Sequence, residues 1–433
     1  MRTALFRATI VARATEVGRP APSWRGEILI AFVLCLLAAA AAHGQTFEIS
    51  RAFRVGPNPR AIVAPDLNGD GWPEIITADT GPLGDLREER PANDELSLLI
   101  AEGDLKYVKH HPSLKTGFAP YAIAIANIDA LRMPDIVVVS FLAVRHRDVT
   151  LFRNLPDNLF ETIDFRAPDE GLSYYRHLDG DGAPIFTKPG LTALAIADVN
   201  RDGYRDLIAT AWSSDALVLF PGDPQLYFGA PQYLPAPGGP RDVQIADFDC
   251  DGNLDLAVVF HTTGEIGLWR GDGQGAFDPI SRFLTRGRLP NRIRVADINQ
   301  DGVADLAVSH GHTDDSIVVF HGDGGFQFSV SQELTLGKDR ALLEHQIEDL
   351  VVEDLTGDMR PDLAAACYES RSVIVMINQS TSTARAQEFR REVYTLKEGR
   401  PRALCTGDFN RDGKIDLAVA TWEPDTVTLL LAR

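Results

Sequence analysis

Apolar positions in this chain come in short runs rather than at helical spacing. The run at 193–197 (ALAIA) precedes an acidic stretch and the run at 207–211 (LIATA) follows it; 243–246 (VQIA) and 256–260 (LAVVF) flank another. Runs of this length, rich in β-branched residues and bounded by Gly and Asp, predict strand–loop–strand units. A third run follows each pair, as at 216–220, 317–320 and 373–377, often ending in a Gly-Asp-Gly turn and a Phe, as in GDGQGAF (271–277) and GDGGFQF (322–328). A weaker fourth strand fills the interval before the next unit.

The unit repeats. DLNGDGWPEI from Asp66, DVNRDGYRDL from Asp198, DFDCDGNLDL from Asp247, DINQDGVADL from Asp297 and DFNRDGKIDL from Asp408 are full copies; NIDALRMPDI from Asn127 and DLTGDMRPDL from Asp354 are weaker ones. Successive copies start 61, 71, 49, 50, 57 and 54 residues apart. Four strands in about 50 residues is the period of a propeller blade. Seven copies predict an all-β, seven-bladed β-propeller of four-stranded blades over 45–433. A linear solenoid is the competing architecture. The chain stops at the third strand of the last copy, while the piece at 47–56 (FEISRAFRVG) precedes the first. The N-terminal strand is therefore expected to complete the last blade, removing a sheet edge that would invite aggregation. Polar or Gly/Pro-containing excess at 82–95 and 170–186 is expected to form surface loops.

Within the copies, oxygens at loop positions 1, 3 and 5, a carbonyl at 7 and a carboxylate at 9 can surround one hard cation, and Gly at 6 permits the turn. Ca²⁺, with six to eight flexible oxygen ligands, fits better than Mg²⁺. An EF-hand loop needs Glu at position 12, which is here Thr77, Ala209, Val258, Val308 or Val419. Five complete sets are candidate Ca²⁺ sites: Asp66, Asn68, Asp70 and Glu74; Asp198, Asn200, Asp202 and Asp206; Asp247, Asp249, Asp251 and Asp255; Asp297, Asn299, Asp301 and Asp305; Asp408, Asn410, Asp412 and Asp416. A sixth set, Asp354, Thr356, Asp358 and Asp362, keeps its oxygens but has Met359 in place of Gly. In the second copy Leu131 and Arg132 replace the position-5 carboxylate and the Gly, and that loop is expected to bind no metal. Without a cation, so many neighbouring carboxylates would repel one another strongly.

The net charge of −19 is less than the carboxylate count of these loops, so the acidity describes metal sites rather than a partner. It still excludes a generic nucleic-acid binder. Arginines at 2, 7, 13, 19 and 25, a 15-residue apolar run at 28–42 and small residues after it read as a secretory signal peptide over 1–44. An uncleaved anchor is the alternative. The expected location is secreted, periplasmic or cell-surface, with no stable membrane span after cleavage. Cys35, Cys250, Cys367 and Cys405 form no CxxC pair and no disulfide framework.

The copies, with first-strand runs such as RDVQIADFD and the trailing GDGQGAF, resemble FG-GAP/VCBS repeats over about Phe47 to Arg433. That resemblance implies an integrin-α-like seven-bladed propeller of the secreted bacterial type with Ca²⁺ in several blades. It does not imply one activity, because such repeats occur in adhesion proteins, lectins and polysaccharide lyases.

On the face opposite the acidic loops, six residues before each motif, lie Arg60, Tyr121, Thr192, Arg241, Asn291, Glu348 and Arg402, with Arg292 beside Asn291. Loops after the second strands carry Trp212, His261, His310, His312, Tyr368, Glu369, Trp422 and Glu423. From these, Arg60, Arg241, Arg292, Arg402, Trp212, His310, Tyr368 and Trp422 are candidate ligand contacts. Guanidinium forks suit carboxylated or sulfated sugars and aromatic faces suit sugar rings. The alternative is that these arginines pair with local acids and the aromatics pack between blades. No HExxH, Walker loop or Rossmann glycine pattern occurs, and no nucleophile is identifiable. The function expected is a non-catalytic binding or adhesion module for a glycan or extracellular protein. A lyase-like polysaccharide-active enzyme is the alternative, and a structural scaffold a third reading.

Overall fold

A computed structural model describes residues 46–81, 93–129, 131, 133–144, 147–156, 159–167, 175–178, 184–186, 189–311, 315–336, 345–380 and 387–433. The leader expected over 1–44, most of the expected loops at 82–95 and 170–186, and Arg132, His312 and Asp314 lie outside the described residues. Among the described residues no helix is long and apolar enough to cross a membrane.

The strands form seven antiparallel blades. Blade one begins with Pro59–Val63, blade two with Phe118–Ala126, blade three with Leu191–Ala197 and blade four with Pro240–Ala246. Blades five, six and seven begin with Pro290–Ala296, Ile347–Glu353 and Arg400–Gly407. Second strands such as Asp206–Ala211, Asp255–Phe260 and Asp362–Cys367 are buried along their whole length, which explains their unbroken apolar runs. Outer strands such as Phe277–Leu284 are largely exposed and correspondingly polar. The apolar residues gather into seven clusters, one at each junction between neighbouring blades. Each blade thus depends on both neighbours for its core.

The last blade closes as the ends of the chain predict. Phe47–Arg54 pairs antiparallel with Thr426–Ala432, from Phe47 opposite Ala432 to Arg54 opposite Thr426. Phe47 is fully buried, meets the Tyr394 ring edge-on at 5.8 Å and donates its N–H to the Tyr394 hydroxyl at 3.0 Å. The closure therefore also anchors blade seven to blade six.

Part of the expected 170–186 loop is a hairpin instead: Tyr175–Leu178 pairs with Pro184–Phe186, which pairs with the end of Asp135–Val144. That strand pairs with the third strand of its blade only over Ile136 to Val139, and the hairpin takes up backbone groups farther along.

Every first strand carries a β-bulge at the same place. The registers shift between Pro59 and Ala61, Pro120 and Ala122, Leu191 and Ala193, and Pro240 and Asp242. The shift recurs between Pro290 and Arg292, Ile347 and Asp349, and Pro401 and Ala403. A bulge leaves one residue outside the ladder and re-aims its side chain. The seven residues so released are Arg60, Tyr121, Thr192, Arg241, Asn291, Glu348 and Arg402, at the end of the sheet away from the acidic loops.

Candidate functional site

Five of the seven bulge residues converge. Arg60 and Arg241, from blades one and four, place their guanidinium groups 5.0 and 5.2 Å from the centre of the Tyr121 ring. Glu348 of blade six receives Arg60 at 3.5 Å and Arg402 of blade seven at 3.4 Å. Burial works against the Glu348 charge, but Arg60, Arg402 and Arg241 outweigh it and hold the carboxyl below its ordinary range. Tyr121 behaves alike: burial would raise its pKa, and Arg241 and Arg60 bring it below the usual phenol value. The other two residues tie blades together. Asn291 donates to the Ile347 carbonyl at 2.7 Å, and the Thr192 hydroxyl donates to the Arg241 carbonyl of blade four at 3.2 Å.

One step along the strands, Asp349 accepts Arg292 Nε at 2.9 Å, Arg294 Nη2 at 3.2 Å and the Leu404 N–H at 3.0 Å. Asp242 accepts Arg294 Nη1 at 2.8 Å and the Ile293 N–H at 3.1 Å. Sequence reasoning missed these two acids. Their signal was present, because each directly follows a bulge residue and so takes the next place in the ladder. Arg292 is thus engaged with a carboxylate, which together with Asp242 raises its pKa against the opposing effect of burial.

Beside the arginines, the Tyr368 and Trp422 rings stack with centroids 5.9 Å apart and planes 19° from parallel. Arg402 lies 4.4 Å from the Tyr368 ring centre and 5.2 Å from that of Trp422, and Arg400 lies 4.9 Å from Tyr368 while pairing with Glu369 at 2.8 Å. Trp212 is exposed and connects to Tyr121 through Phe141, at 6.2 and 5.6 Å. His310 is fully buried, with Nδ1 3.3 Å from the Ser316 carbonyl oxygen, and His261 Nδ1 is 3.1 Å from the Pro290 carbonyl oxygen.

At the opposite face the acidic loops share one scaffold. In blade three, Asp198 accepts the N–H groups of Asp202 at 3.1 Å and Gly203 at 3.0 Å, and Asp202 accepts that of Tyr204 at 2.8 Å. The loops from Asp66, Asp247, Asp297 and Asp408 repeat this. So does the loop from Asp354, where Met359 takes φ +67° and its N–H reaches Asp354 at 2.6 Å. The position-9 carboxylates are buried and clamp strands. Asp206 accepts the Val199 N–H at 2.9 Å and, across the blade, the Gly222 N–H at 2.7 Å. Asp135 does the same in blade two, at 2.9 Å to both Ile128 and Asn154, although that loop has Leu131 in place of the position-5 carboxylate. This explains why the weakest copy still ends in Asp.

Two observations bear on whether a cation fits. Ligand oxygens of Asp247, Asp249 and Asp255 all lie within 4.8 Å of one another. In blade one, Glu74 is buried with Oε2 on the Leu67 N–H at 2.7 Å, while Oε1 has no hydrogen-bond partner. An all-oxygen set with a buried, unsatisfied carboxylate oxygen suits a hard divalent ion.

Residues 198–258, 254–308 and 354–419 match the FG-GAP-like repeat. No curated protein sequence matches the chain. Among solved structures, the chain is similar to BBS1N from its complex with ARL6DN (15% identity, TM-score 0.58, covering 90% of this chain and 98% of that one). It is similar to virginiamycin B lyase from Staphylococcus aureus (11%, 0.55, 89% and 100%) and to the Pseudomonas aeruginosa periplasmic gluconolactonase PpgL (12%, 0.55, 87% and 89%). At these identities the likeness is one of fold. The repeat matches and the seven closed blades together make this chain a seven-bladed β-propeller that contains FG-GAP-like repeats.

Proposed function

We propose that the propeller is exported, carries Ca²⁺ in its acidic loops, and acts as a non-catalytic binding module for a glycan or extracellular protein on the face away from those loops. The observation that carries the reading is the bulge ring. Seven equivalent irregularities release side chains from rigid strands, and five converge from different blades beside the stacked Tyr368–Trp422 pair. Preorganised guanidinium forks and aromatic faces lose little entropy on binding, which favours affinity.

Ca²⁺ would be held by the sets beginning at Asp66, Asp198, Asp247, Asp297 and Asp408, and by the Asp354 set, whose loop keeps the same turn. Bound there, it would neutralise the carboxylates and tie the first strand to the second in each blade. The chain's own residues already supply the turn and the strand clamp.

A lyase-like enzyme on the same scaffold is the second reading, and Tyr121 favours it: a phenol acidified by two arginines could accept a proton beside a sugar carboxylate. Affinity electrophoresis through gels containing neutral or acidic polysaccharides separates the two. Retardation with the polymer intact supports the binding module, clearing of the polymer supports the enzyme, and no interaction directs the search to protein ligands.

A further inference from the structure

We propose that the Arg60–Arg241–Arg402 cluster is an oxyanion site that captures a carboxylate or sulfate group of an acidic oligosaccharide. The inference rests on the binding-module reading above and supplies its ligand chemistry.

The charge balance of the cluster is the first argument. Arg292 and Arg294 are matched by Asp349 and Asp242. Arg60, Arg241 and Arg402 share one carboxylate, Glu348, and among the described residues no carboxylate pairs with Arg241. Three guanidinium groups against one carboxylate leave uncompensated positive charge where burial makes it costly. Unmet hydrogen bonding is the second argument. Nε of Arg60, Arg241 and Arg402 is in each case buried without an acceptor. Guanidinium Nε–H groups take part in the two-pronged contacts that carboxylates and sulfates accept.

Glu348 shows what the site accepts, since it already serves Arg60 and Arg402 as an internal carboxylate. A ligand anion would approach from the side of Arg241 and Tyr121. The Trp212 ring, exposed and linked to Tyr121 through Phe141, provides an apolar face for an adjoining sugar ring.

The test is calorimetric titration of the full chain in calcium buffer with four probes: an oligogalacturonate, a sulfated dextran oligosaccharide, neutral dextran of equal length and an oligoglutamate. Binding is expected for one or both acidic saccharides and for neither other probe; which of the two binds distinguishes carboxylate from sulfate. Arg241→Ala and Arg241→Lys are expected to weaken it by about tenfold or more, the lysine failing because it lacks the fork. Glu348→Gln is expected to strengthen it severalfold by removing the internal competitor. Arg51→Ala, on the outer strand of blade seven, is expected to change nothing, and melting curves verify that each variant is folded. Equal binding of neutral dextran, or binding untouched at Arg241, overturns the oxyanion site while leaving the binding module standing. Binding of oligoglutamate alone overturns the saccharide assignment. Polymer cleavage overturns the non-catalytic reading, and loss of substrate affinity in Arg241→Ala would then still support the oxyanion site.

Discussion

Arg153 holds Asp129 with two nitrogens of its guanidinium, Nε at 3.0 Å and Nη2 at 2.8 Å. Asp129 occupies position 3 of the blade-two loop, the copy whose position-5 carboxylate has become Leu131. A side-chain cation thus stands against the remaining loop carboxylate, and Arg153 also lies over the Tyr227 ring of blade three at 5.0 Å. Blade four uses a related device, with Arg270 on Asp249 at 2.9 Å, in the one complete set that has Asp rather than Asn at position 3.

This pairing separates blade two from the proposed Ca²⁺ loops. Arg153→Met is expected to lower unfolding stability by about 1–3 kcal/mol, since it strands a mostly buried carboxylate. The loss should be the same in Ca²⁺ and in EDTA. The parent chain itself should melt lower in EDTA, because an ion bound only by the folded state stabilises it by mass action. Asp198→Ala should lose most of its effect once chelator is present. Urea denaturation of the three chains in both buffers checks this, and a parent melt indifferent to EDTA would remove Ca²⁺ from the account.

Phe47 tests the closure. It fills the junction of blades six and seven, and its backbone completes the last sheet. Phe47→Ala is expected to cost about 3–5 kcal/mol, the range for deleting a fully buried aromatic ring. Limited proteolysis should then cut first in or beside Phe47–Arg54, because this outer strand pairs with one neighbour only. A variant as stable and resistant as the parent would show that the closing strand contributes backbone pairing alone.

The repeat made the blade count and the closure legible, because each blade must spell out its buried second strand and its tight acidic turn in local residue types. The bulge ring was legible as positions but not as a geometry. Nothing in Pro-Arg-Ala or Pro-Tyr-Ala says that Arg60 and Arg241 will meet on the ring of Tyr121, since that contact joins blades one, two and four. The double duty of the position-9 acids was hidden for a similar reason. The Gly222 N–H that Asp206 accepts lies on another strand, and only the fold brings it within 2.7 Å. His310 illustrates the opposite failure: a histidine beside a loop reads as exposed, yet the end of this second strand is buried by its neighbours.

Met359 is highly exposed and holds a left-handed turn that glycine fills in the complete loops, with φ +67° against +91° at Gly203 and +86° at Gly252. A non-glycine residue there costs on the order of 1 kcal/mol. Met359→Gly is therefore expected to stabilise the chain by up to about 1 kcal/mol, partly offset by the greater freedom of glycine when unfolded. Met359→Val should destabilise it, since a β-branched residue tolerates this conformation least. Denaturation midpoints of the two variants moving in opposite directions would verify the strain; parallel shifts would refute it.

Asp79 gives the pH dependence. Its carboxyl is buried at the end of the second strand of blade one, accepting Ser97 Oγ–H at 2.6 Å, Thr77 Oγ–H at 2.7 Å and the Gly56 N–H at 3.2 Å. Burial outweighs these hydrogen bonds and pushes its pKa up to about 7. An unfolded aspartate titrates near 3.9, so the folded chain holds this proton more tightly. Its contribution is therefore fully present below about pH 4, falls as the pH rises, and is lost once the folded group ionises near 7. Asp79→Asn cannot ionise. The stability of the parent minus that of Asp79→Asn should decline by a few kcal/mol between these limits and then stay level. Other buried acids, such as Asp148, titrate equally in both chains and cancel in the subtraction. Chemical denaturation of both chains at half-unit steps reads the difference directly. A difference that rises with pH would mean that Ser97, Thr77 and Gly56 together hold Asp79 as the anion, reversing the balance between burial and hydrogen bonding at this site.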